Sequence, residues 1–180
     1  MNLSTAASFE STDSVPAIEQ QLNRLLTENG PALLRLASSY TNTSSDRDDL
    51  FQDIAIALWK ALARFRGECS ERTFLFRVAH NRAIDYLRRR RALTTPIEAD
   101  APLPDARPNQ EAGLAQEQQG ERLRQAIHRL PLPYRQVITL TLEEMSYGEI
   151  AAILGVTETN VGVRLNRARQ LLRQLLENRT

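Results

Sequence analysis

The 180-residue sequence has few of the residues from which catalytic and metal sites are built. Its one cysteine is Cys69, and its two histidines, His80 and His128, lie far apart along the chain. A single cysteine excludes an internal disulfide and a cysteine-rich zinc site, and it fits a reducing compartment. A glycine-rich phosphate loop, a nucleophile motif and a metal-ligand spacing are also missing. We therefore expect no enzymatic activity, catalytic residue, metal or cofactor. Both histidines are expected at the surface. The alternative is an enzyme or redox sensor centred on Cys69.

Long apolar runs are missing as well. No stretch approaches the roughly 20 apolar residues that a membrane-spanning helix needs. The N-terminal sequence MNLSTAASFESTDSVPA contains acidic residues and no basic start before an apolar stretch, so it does not resemble a secretory signal. These observations predict a cytoplasmic protein that is not embedded in a membrane. Residues 1–17, which are rich in serine and threonine, are expected to form a disordered tail.

Aromatic residues make up only 6% of the chain, whereas leucine, alanine, arginine and glutamine are plentiful. That composition favours helix, and no segment alternates between apolar and polar residues with a period of two. A hydrophobic content of 42% is too high for a wholly disordered chain. The sequence therefore predicts an all-α fold of two small helical domains joined by a proline-rich flexible linker.

The predicted linker is residues 92–115. It contains four prolines and no aromatic residue, and its four acidic residues against one arginine give a net charge of −3. Such a stretch cannot bury enough apolar surface to fold by itself, and proline favours extended conformations. The domains flanking it are predicted at residues 18–91 and 116–180.

The net charge of +1 hides a strong segregation of charge along the chain. Residues 1–56 carry a net charge of −5, whereas residues 72–91 carry +6 and residues 161–180 carry +4. All basic residues except Lys60 are arginines, which suit bidentate contacts with phosphate. Two separate basic helices indicate two surfaces for nucleic acid.

Four helices are expected in the first domain. Gly30-Pro31 is predicted to separate the first from the second, Ser45 or Asp46 to cap the third, and Gly67 to end it. The third and fourth helices each have an apolar stripe at helical spacing, formed by Leu50, Ile54, Leu58 and Leu62 and by Leu75, Ala79, Ala83 and Tyr86.

Two features of these helices allow two interpretations each. The basic fourth helix carries Phe74, Phe76 and Tyr86 among its arginines, and such aromatics either stack on single-stranded bases or belong to the core. The third helix is apolar on more than one face between Asp49 and Trp59, so it either contacts another protein or is buried in the bundle.

The second domain ends in a predicted helix-turn-helix. Ser146 and Glu149 have the spacing of a capping box, Gly155 is placed to terminate that short helix, and Thr157 can cap the next one. The last helix has an apolar stripe and an opposite face that suits the major groove of DNA. That face consists of Thr159, Gly162, Val163 and Asn166, flanked by Arg164 and Arg167. The alternative is a helical hairpin with a solvated basic face.

Three stretches in this order resemble the extracytoplasmic-function (ECF, group IV) sigma factors of bacteria. They are DLFQDIAIALWKALARFRG (49–67), RTFLFRVAHNRAIDYLRRRR (72–91) and LPLPYRQVITLTLEEMSYGEIAAILGVTETNVGVRLNRARQLL (130–172). The resemblance implies a subunit that binds core RNA polymerase and directs promoter recognition, promoter melting and transcription initiation. It implies that residues 18–91 form sigma domain 2, that residues 116–180 form sigma domain 4, and that an anti-sigma factor is a further partner.

The resemblance also implies residue roles. The polymerase-binding positions are Asp49, Gln52, Asp53, Ile56 and Trp59. The positions for the −10 promoter element are Phe65, Gly67, Glu68, Cys69, Ser70, Asn81, Asp85, Arg88 and Arg89. The positions for the −35 element are Thr159, Asn160, Gly162, Val163, Arg164, Asn166 and Arg167.

One pair of residues departs from the family pattern. Family members often carry Lys or Arg followed by Ser where this chain has Gly162-Val163. Glycine and valine offer no side-chain hydrogen bond, so DNA shape or thymine methyl contacts would carry the readout.

A free-standing helix-turn-helix regulator of duplex DNA is the alternative function. It would bind a palindromic site by itself, usually as a dimer. The net charge of −5 over residues 1–56 argues against it, because an acidic domain weakens unaided binding to DNA.

Overall fold

The computed structural model describes residues 14–93 and 114–177, and within these ranges all regular structure is helical. The seven helices are α1 (Ser14–Ser38), α2 (Ser44–Leu62), α3 (Glu71–Leu93), α4 (Leu114–Arg129), α5 (Leu132–Leu142), α6 (Tyr147–Leu154) and α7 (Glu158–Glu177). The predicted all-α class is confirmed. Residues 1–13 of the predicted tail and 94–113 of the predicted linker lie outside the described residues, as do the last three residues. We call α1–α3 the front domain and α4–α7 the rear domain.

Helix α1 is continuous, so the predicted break at Gly30-Pro31 is wrong. Pro31 lies inside the helix, where it removes one backbone N–H. Such a proline costs about 3 kcal/mol. Leu25, Leu33 and Leu36 lie on both sides of it and are all buried on the same face. Burying each such side chain contributes about 1.5–3 kcal/mol, so packing along the whole stripe outweighs the local penalty.

The N-cap of α2 lies two or three residues earlier than we predicted. Thr43, rather than Ser45 or Asp46, is the N-cap, and its side-chain oxygen accepts a 3.0 Å hydrogen bond from the backbone N–H of Asp46. The helix ends at Leu62, before Gly67, which lies in the following loop with φ of +75°. The expected third helix is α2, and its predicted stripe is confirmed, because Leu50, Ile54, Leu58 and Leu62 are all buried.

Helix α3 is covered on more than one side, which overturns the surface position predicted for His80. Leu75, Ala79 and Ala83 are fully buried as expected. His80 is only 7% exposed, and its Nδ1 lies 2.7 Å from the hydroxyl of Tyr40 on α1. Burial lowers the pKa of His80 to about 4, so the ring is neutral at physiological pH. The structure also half-buries His128, and this burial lowers its pKa.

The first two aromatics of α3 are core residues. Phe74 and Phe76 are buried, and the Phe74 ring packs 4.4 Å from the ring of Phe65. Tyr86 is half-buried. Of the two interpretations that the sequence left open, the core position holds for Phe74 and Phe76.

The helix-turn-helix of the rear domain has the predicted local geometry. Ser146 and Glu149 form the reciprocal capping box, and Gly155 ends α6 in the left-handed conformation, with φ of +66°. Thr157 accepts a hydrogen bond from the backbone N–H of Asn160 at 3.2 Å. The stripe of α7 is buried as predicted at Val161, Leu165, Ala168 and Leu172. These contacts hold α7 against α5 and α6, with its other face toward solvent.

The front and rear domains also contact each other. Helix α3 packs against α6, and α1 touches α5.

Candidate polymerase and promoter interfaces

The outer face of α2 presents apolar side chains to solvent. Ile56 is 53% exposed and Trp59 is 45% exposed, although the opposite face of the helix is buried in the bundle. Asp49 and Gln52 lie exposed on the same outer face. One face of α2 is therefore buried in the bundle, whereas contact of the other face with another protein stays a prediction. Exposed aromatic and aliphatic side chains beside acidic ones are typical of a protein-binding surface.

Asp53 lies at the edge of this outer face and contacts α3. Its Oδ2 accepts hydrogen bonds from the guanidinium groups of Arg82 at 3.0 Å and Arg89 at 3.1 Å. The side chains of Asp53 and Arg82 are about one-third exposed. The predicted polymerase face and the predicted −10 face are thus joined by an ion pair. This link was not predictable from the sequence, because it depends on the packing of α2 against α3.

The loop between α2 and α3 holds five of the predicted −10 residues. Phe65 is anchored on Phe74, Cys69 is half-buried, and Gly67, Glu68 and Ser70 are exposed. Ser70 caps α3, because its Oγ accepts a 3.0 Å hydrogen bond from the backbone N–H of Thr73.

A side chain of α1 also holds the start of α3 in place. Arg24 donates two hydrogen bonds to the carboxylate of Glu71, at 2.8 and 2.9 Å. These contacts with Arg24 lower the pKa of Glu71. The predicted −10 loop is therefore held at its C-terminal end, where it enters the helix.

The C-terminal half of α3 carries the remaining predicted −10 residues. Asn81, Asp85, Arg88 and Arg89 are all exposed. Arg90, which is not among the assigned −10 positions, donates to Asp46 at 2.6 Å and to the Tyr86 hydroxyl at 2.8 Å. These contacts raise the pKa of Arg90. The loop between α2 and α3 and the basic surface of α3 therefore both belong to the front domain.

The outer face of α7 carries the predicted −35 residues. Thr159, Asn160, Val163, Asn166 and Arg167 are exposed, and Val163 reaches 64%. Gly162 and Arg164 are half-buried. A Cβ added at position 162 would lie 3.6 Å from Cε2 of Tyr147 on α6, which is an ordinary van der Waals contact.

A groove runs beside α7 that the sequence reasoning missed. Its volume is about 710 Å³, and its two sides come from the start of α5 and from α7. Pro131, Pro133 and Tyr134 line the first side, opposite Val163 and Arg167 among others. The motif LPLPY could have indicated it, since prolines at a helix start leave a rigid apolar edge.

Residues 14–93 and 114–177 lack the features of a metal site and of a membrane-spanning helix. No group of three His, Cys, Asp or Glu side chains in this part of the chain has the arrangement of a metal site. None of the helices described here combines the length and apolarity that crossing a bilayer requires.

Family comparisons match both domains. The family described as Sigma-70 region 2 matches residues 25–93, and the one described as Sigma-70, region 4 matches residues 120–172. The RNA polymerase sigma factor NccH of Alcaligenes xylosoxydans xylosoxydans is 34% identical over 160 residues, covering 86% of each chain. The ECF RNA polymerase sigma factor SigM of Mycobacterium tuberculosis is 33% identical over 146 residues, covering 80% of this chain and 71% of SigM. The chain belongs to the ECF sigma factors. It therefore serves RNA polymerase in transcription initiation, and the front and rear domains are its sigma regions 2 and 4.

Solved sigma factors share the fold. The structure of CnrH in complex with the cytosolic domain of CnrY aligns with a TM-score of 0.68 and 28% identity, over 93% of this chain and 95% of CnrH. The sigma factor RpoE of Bartonella quintana, in complex with the anti-sigma factor NepR, aligns with a TM-score of 0.70 and 24% identity, over 88% and 98% of the two chains. Both alignments extend over most of the chain.

Proposed function

We propose that this sigma factor binds core RNA polymerase through the outer face of α2. The observation that carries the proposal is the exposure of Ile56 and Trp59 on a helix whose opposite face is already buried. Asp49, Gln52 and Asp53 surround these apolar side chains with polar groups. An apolar centre with a polar rim is the usual anatomy of a protein interface, and tryptophan is enriched among the residues that dominate binding energy.

The Trp59→Ala variant tests this interface. We expect it to lower the affinity for bacterial core polymerase at least about tenfold, because a buried aromatic anchor typically contributes 2 kcal/mol or more. Leu176→Ala is the matched control, since Leu176 is 43% exposed on α7, far along the chain from α2. Affinity is measured by fluorescence anisotropy of labelled protein titrated with core enzyme. Equal affinities for the two variants would contradict the assignment.

The proposed promoter contacts divide between the two domains. The loop from Phe65 to Ser70 and the exposed face of α3 at Asn81, Asp85, Arg88 and Arg89 contact the melted −10 element. The outer face of α7 contacts the −35 element, with Arg164 and Arg167 on phosphates and Thr159, Asn160, Gly162, Val163 and Asn166 near base edges. Basic residues at the edges of exposed helix faces support this division.

An anti-sigma factor is the second proposed protein partner. The solved relatives include RpoE, in complex with the anti-sigma factor NepR, and CnrH, in complex with the cytosolic domain of CnrY. In this chain, a mostly apolar groove of about 290 Å³ between α1 and the rear domain offers a place for such a partner. Leu123 and Leu142 line it and are partly exposed. A protein that binds this chain, competes with core polymerase and loses affinity for Leu142→Asp would fit this role.

The chain contributes no catalytic chemistry in this proposal, and it works in the cytoplasm, where RNA polymerase is. Cys69, the one candidate nucleophile, is half-buried in the loop before α3. A Cys69→Ser variant is expected to keep directing specific transcripts, whereas a function that required the thiol would lose them.

A further inference from the structure

A single carboxylate oxygen of α2 holds two arginines of α3. Asp53 Oδ2 accepts one hydrogen bond from a terminal nitrogen of Arg82 at 3.0 Å and another from a terminal nitrogen of Arg89 at 3.1 Å. Since both nitrogens contact the same oxygen, they are at most about 6 Å apart. Two guanidinium groups at that separation repel each other, so the shared carboxylate stabilises their approach.

Helix α3 alone does not bring these two guanidinium groups together. Arg82 and Arg89 lie two turns apart on the same side of the helix, so their Cα atoms are separated by about 10 Å along its axis. Arginine side chains are long, and fixing one of them in a single conformation costs conformational entropy. The two side chains lean toward each other because Asp53 lies between them. Their convergence is therefore a consequence of the packing of α2 against α3.

Arg82 depends on Asp53 more strongly than Arg89 does. The Arg82 side chain is 31% exposed, against 54% for Arg89. Within the part of the chain that the structure describes, Asp53 is the only hydrogen-bond acceptor that Arg82 contacts, and the buried Nε of Arg82 has no partner. Removing the carboxylate would thus leave the Arg82 guanidinium with no hydrogen bond to fix its orientation.

The two arginines lie beside the residues assigned to the −10 element. Arg82 precedes Asp85 by three residues and Arg89 follows it by four, so all three share one side of α3. A guanidinium group has several N–H donors, of which Asp53 takes one from each arginine. Two positive charges against one negative charge leave this place cationic. Paired guanidinium groups with remaining donors suit the oxygens of a phosphate.

We infer that Arg82 and Arg89 together bind one phosphate of the melted −10 strand, and that Asp53 is the positioning residue that holds them in place for it. Arg82 is thereby added to the −10 contacts. The inference rests on the proposed function, since it takes α3 to be the −10 surface. Asp53 acts through the two arginines and does not contact DNA itself.

The sign of the effect separates positioning from simple charge repulsion. A carboxylate near a phosphate repels it, so an Asp53 that contributed only its charge would bind DNA more tightly after substitution by asparagine. An Asp53 that positions Arg82 and Arg89 gives the opposite result, because the arginines lose their fixed orientation. Asp53→Asn therefore weakens DNA binding even though it removes a negative charge.

Promoter binding by the holoenzyme measures this effect. The DNA is a fork junction with a single-stranded −10 element, made from a promoter that the wild-type holoenzyme selects from genomic fragments. Core polymerase is saturating, so a change in core affinity does not enter the measurement. We expect Asp53→Asn to weaken binding about tenfold, the typical effect of losing a hydrogen bond to a charged group. The slope of log K against log salt concentration should fall by about 0.7, the value for one phosphate contact on a single strand.

Conservative and matched variants isolate the positioning role. Asp53→Glu keeps the charge and is expected to restore most of the affinity and the slope. Asp48→Asn removes an exposed carboxylate from the same helix, but its ion-pair partner is Arg47 and not a residue of α3, so we expect wild-type binding. In a protein that already carries Arg82→Gln and Arg89→Gln, Asp53→Asn should cause no further weakening.

A second variant tests the site should Asp53→Asn fail to fold, which circular dichroism reports. Arg82→Gln is expected to weaken promoter binding about tenfold and to lower the salt slope by about 0.7, as expected for a residue that contacts phosphate. An Arg82→Gln holoenzyme that binds like the wild type would overturn the inference.

Two failures are distinguishable. If Arg88→Ala weakens promoter binding but Asp53→Asn binds as tightly as the wild type or more tightly, the inference is overturned and the proposed function stands. If the wild-type holoenzyme selects no promoter, or if Arg88→Ala and Arg89→Gln both bind like the wild type, the assignment of α3 to the −10 element fails and the inference fails with it.

Discussion

His80 shows how burial changes the role of a single residue. The sequence offered a polar side chain on a basic helix, and the structure places it against Tyr40 with 7% exposure. Its pKa is about 4 in the folded protein and near 6.5 in an unfolded chain. Between these values the unfolded state binds more protons, so stability falls as the pH drops from 6.5 toward 4. From about one pH unit above 6.5 the ring is neutral in both states, and His80 contributes no pH dependence.

The His80→Gln variant tests this linkage. A pKa difference between the two states changes the unfolding free energy by up to about 1.4 kcal/mol per pH unit. We expect the wild type to lose about 2 kcal/mol more than His80→Gln between pH 6.5 and pH 4.5, measured by urea unfolding. Because every other titrating group is common to both proteins, parallel pH profiles would show that His80 is not buried in its neutral form.

Arg164 and Arg173 provide a matched pair on α7. Arg164 lies among the predicted −35 residues beside the groove, whereas Arg173 is exposed farther along the helix. If Arg164 binds a phosphate, Arg164→Ala should weaken promoter binding by polymerase holoenzyme with little dependence on sequence. The slope of log K against log salt concentration should fall by about 0.9.

Arg173→Ala removes the same charge and is expected to leave that slope nearly unchanged. A slope for Arg164→Ala equal to that of the wild type would mean that Arg164 does not contact phosphate.

At the scale of helices, Gly155 and Gly162 are predicted to respond to alanine in opposite directions. Gly155 ends α6 with φ of +66°, a conformation that costs other residues about 1–2 kcal/mol. Gly162 lies inside α7, where an added Cβ meets only an ordinary contact at 3.6 Å with Tyr147. We expect Gly155→Ala to lower the unfolding free energy by about 1 kcal/mol and Gly162→Ala to raise it by about 0.5 kcal/mol. Thermal unfolding of the two variants measures both, and destabilisation by Gly162→Ala would contradict the geometry of α7.

Helix boundaries were predictable where the signal is local. The capping box of Ser146 and Glu149 and the stop at Gly155 depend on residues three to nine positions apart, and both predictions are confirmed. The predicted break at Gly30-Pro31 was wrong because α1 continues where its leucines are buried, and that burial depends on helices elsewhere in the chain. The cap of α2 was assigned to the wrong residue because several neighbouring polar residues, Thr43 among them, are able to cap a helix.

Helical periodicity likewise predicted which face of α7 is exposed. The roles assigned to residues on α2 came instead from the resemblance to the ECF sigma factors. It did not predict how the helices pair. Phe74 and Phe76 have the same spacing whether they stack on bases or enter the core, and their burial became clear only with the packing of α3. The ion pair from Asp53 to Arg82 and Arg89 has the same origin.

At the scale of the whole molecule, the relation between the domains is the least predictable feature. Arg35 and Glu143, which form an ion pair between the domains, are separated by 108 residues, and nothing in the local sequence of either one indicates the other. In the sequence both resemble charged surface residues, and Glu143 is buried only by tertiary contacts. The division into two domains, by contrast, followed from composition, because the proline-rich and acidic stretch between them is so unlike its neighbours.

The most direct test of the account is run-off transcription with bacterial core polymerase on a genomic promoter library, with and without this protein. We predict specific transcripts only when the protein is present, and their aligned upstream sequences should contain −10 and −35 elements. The absence of such transcripts, together with tight binding of the free protein to a palindromic duplex, would contradict the account and indicate a free-standing regulator.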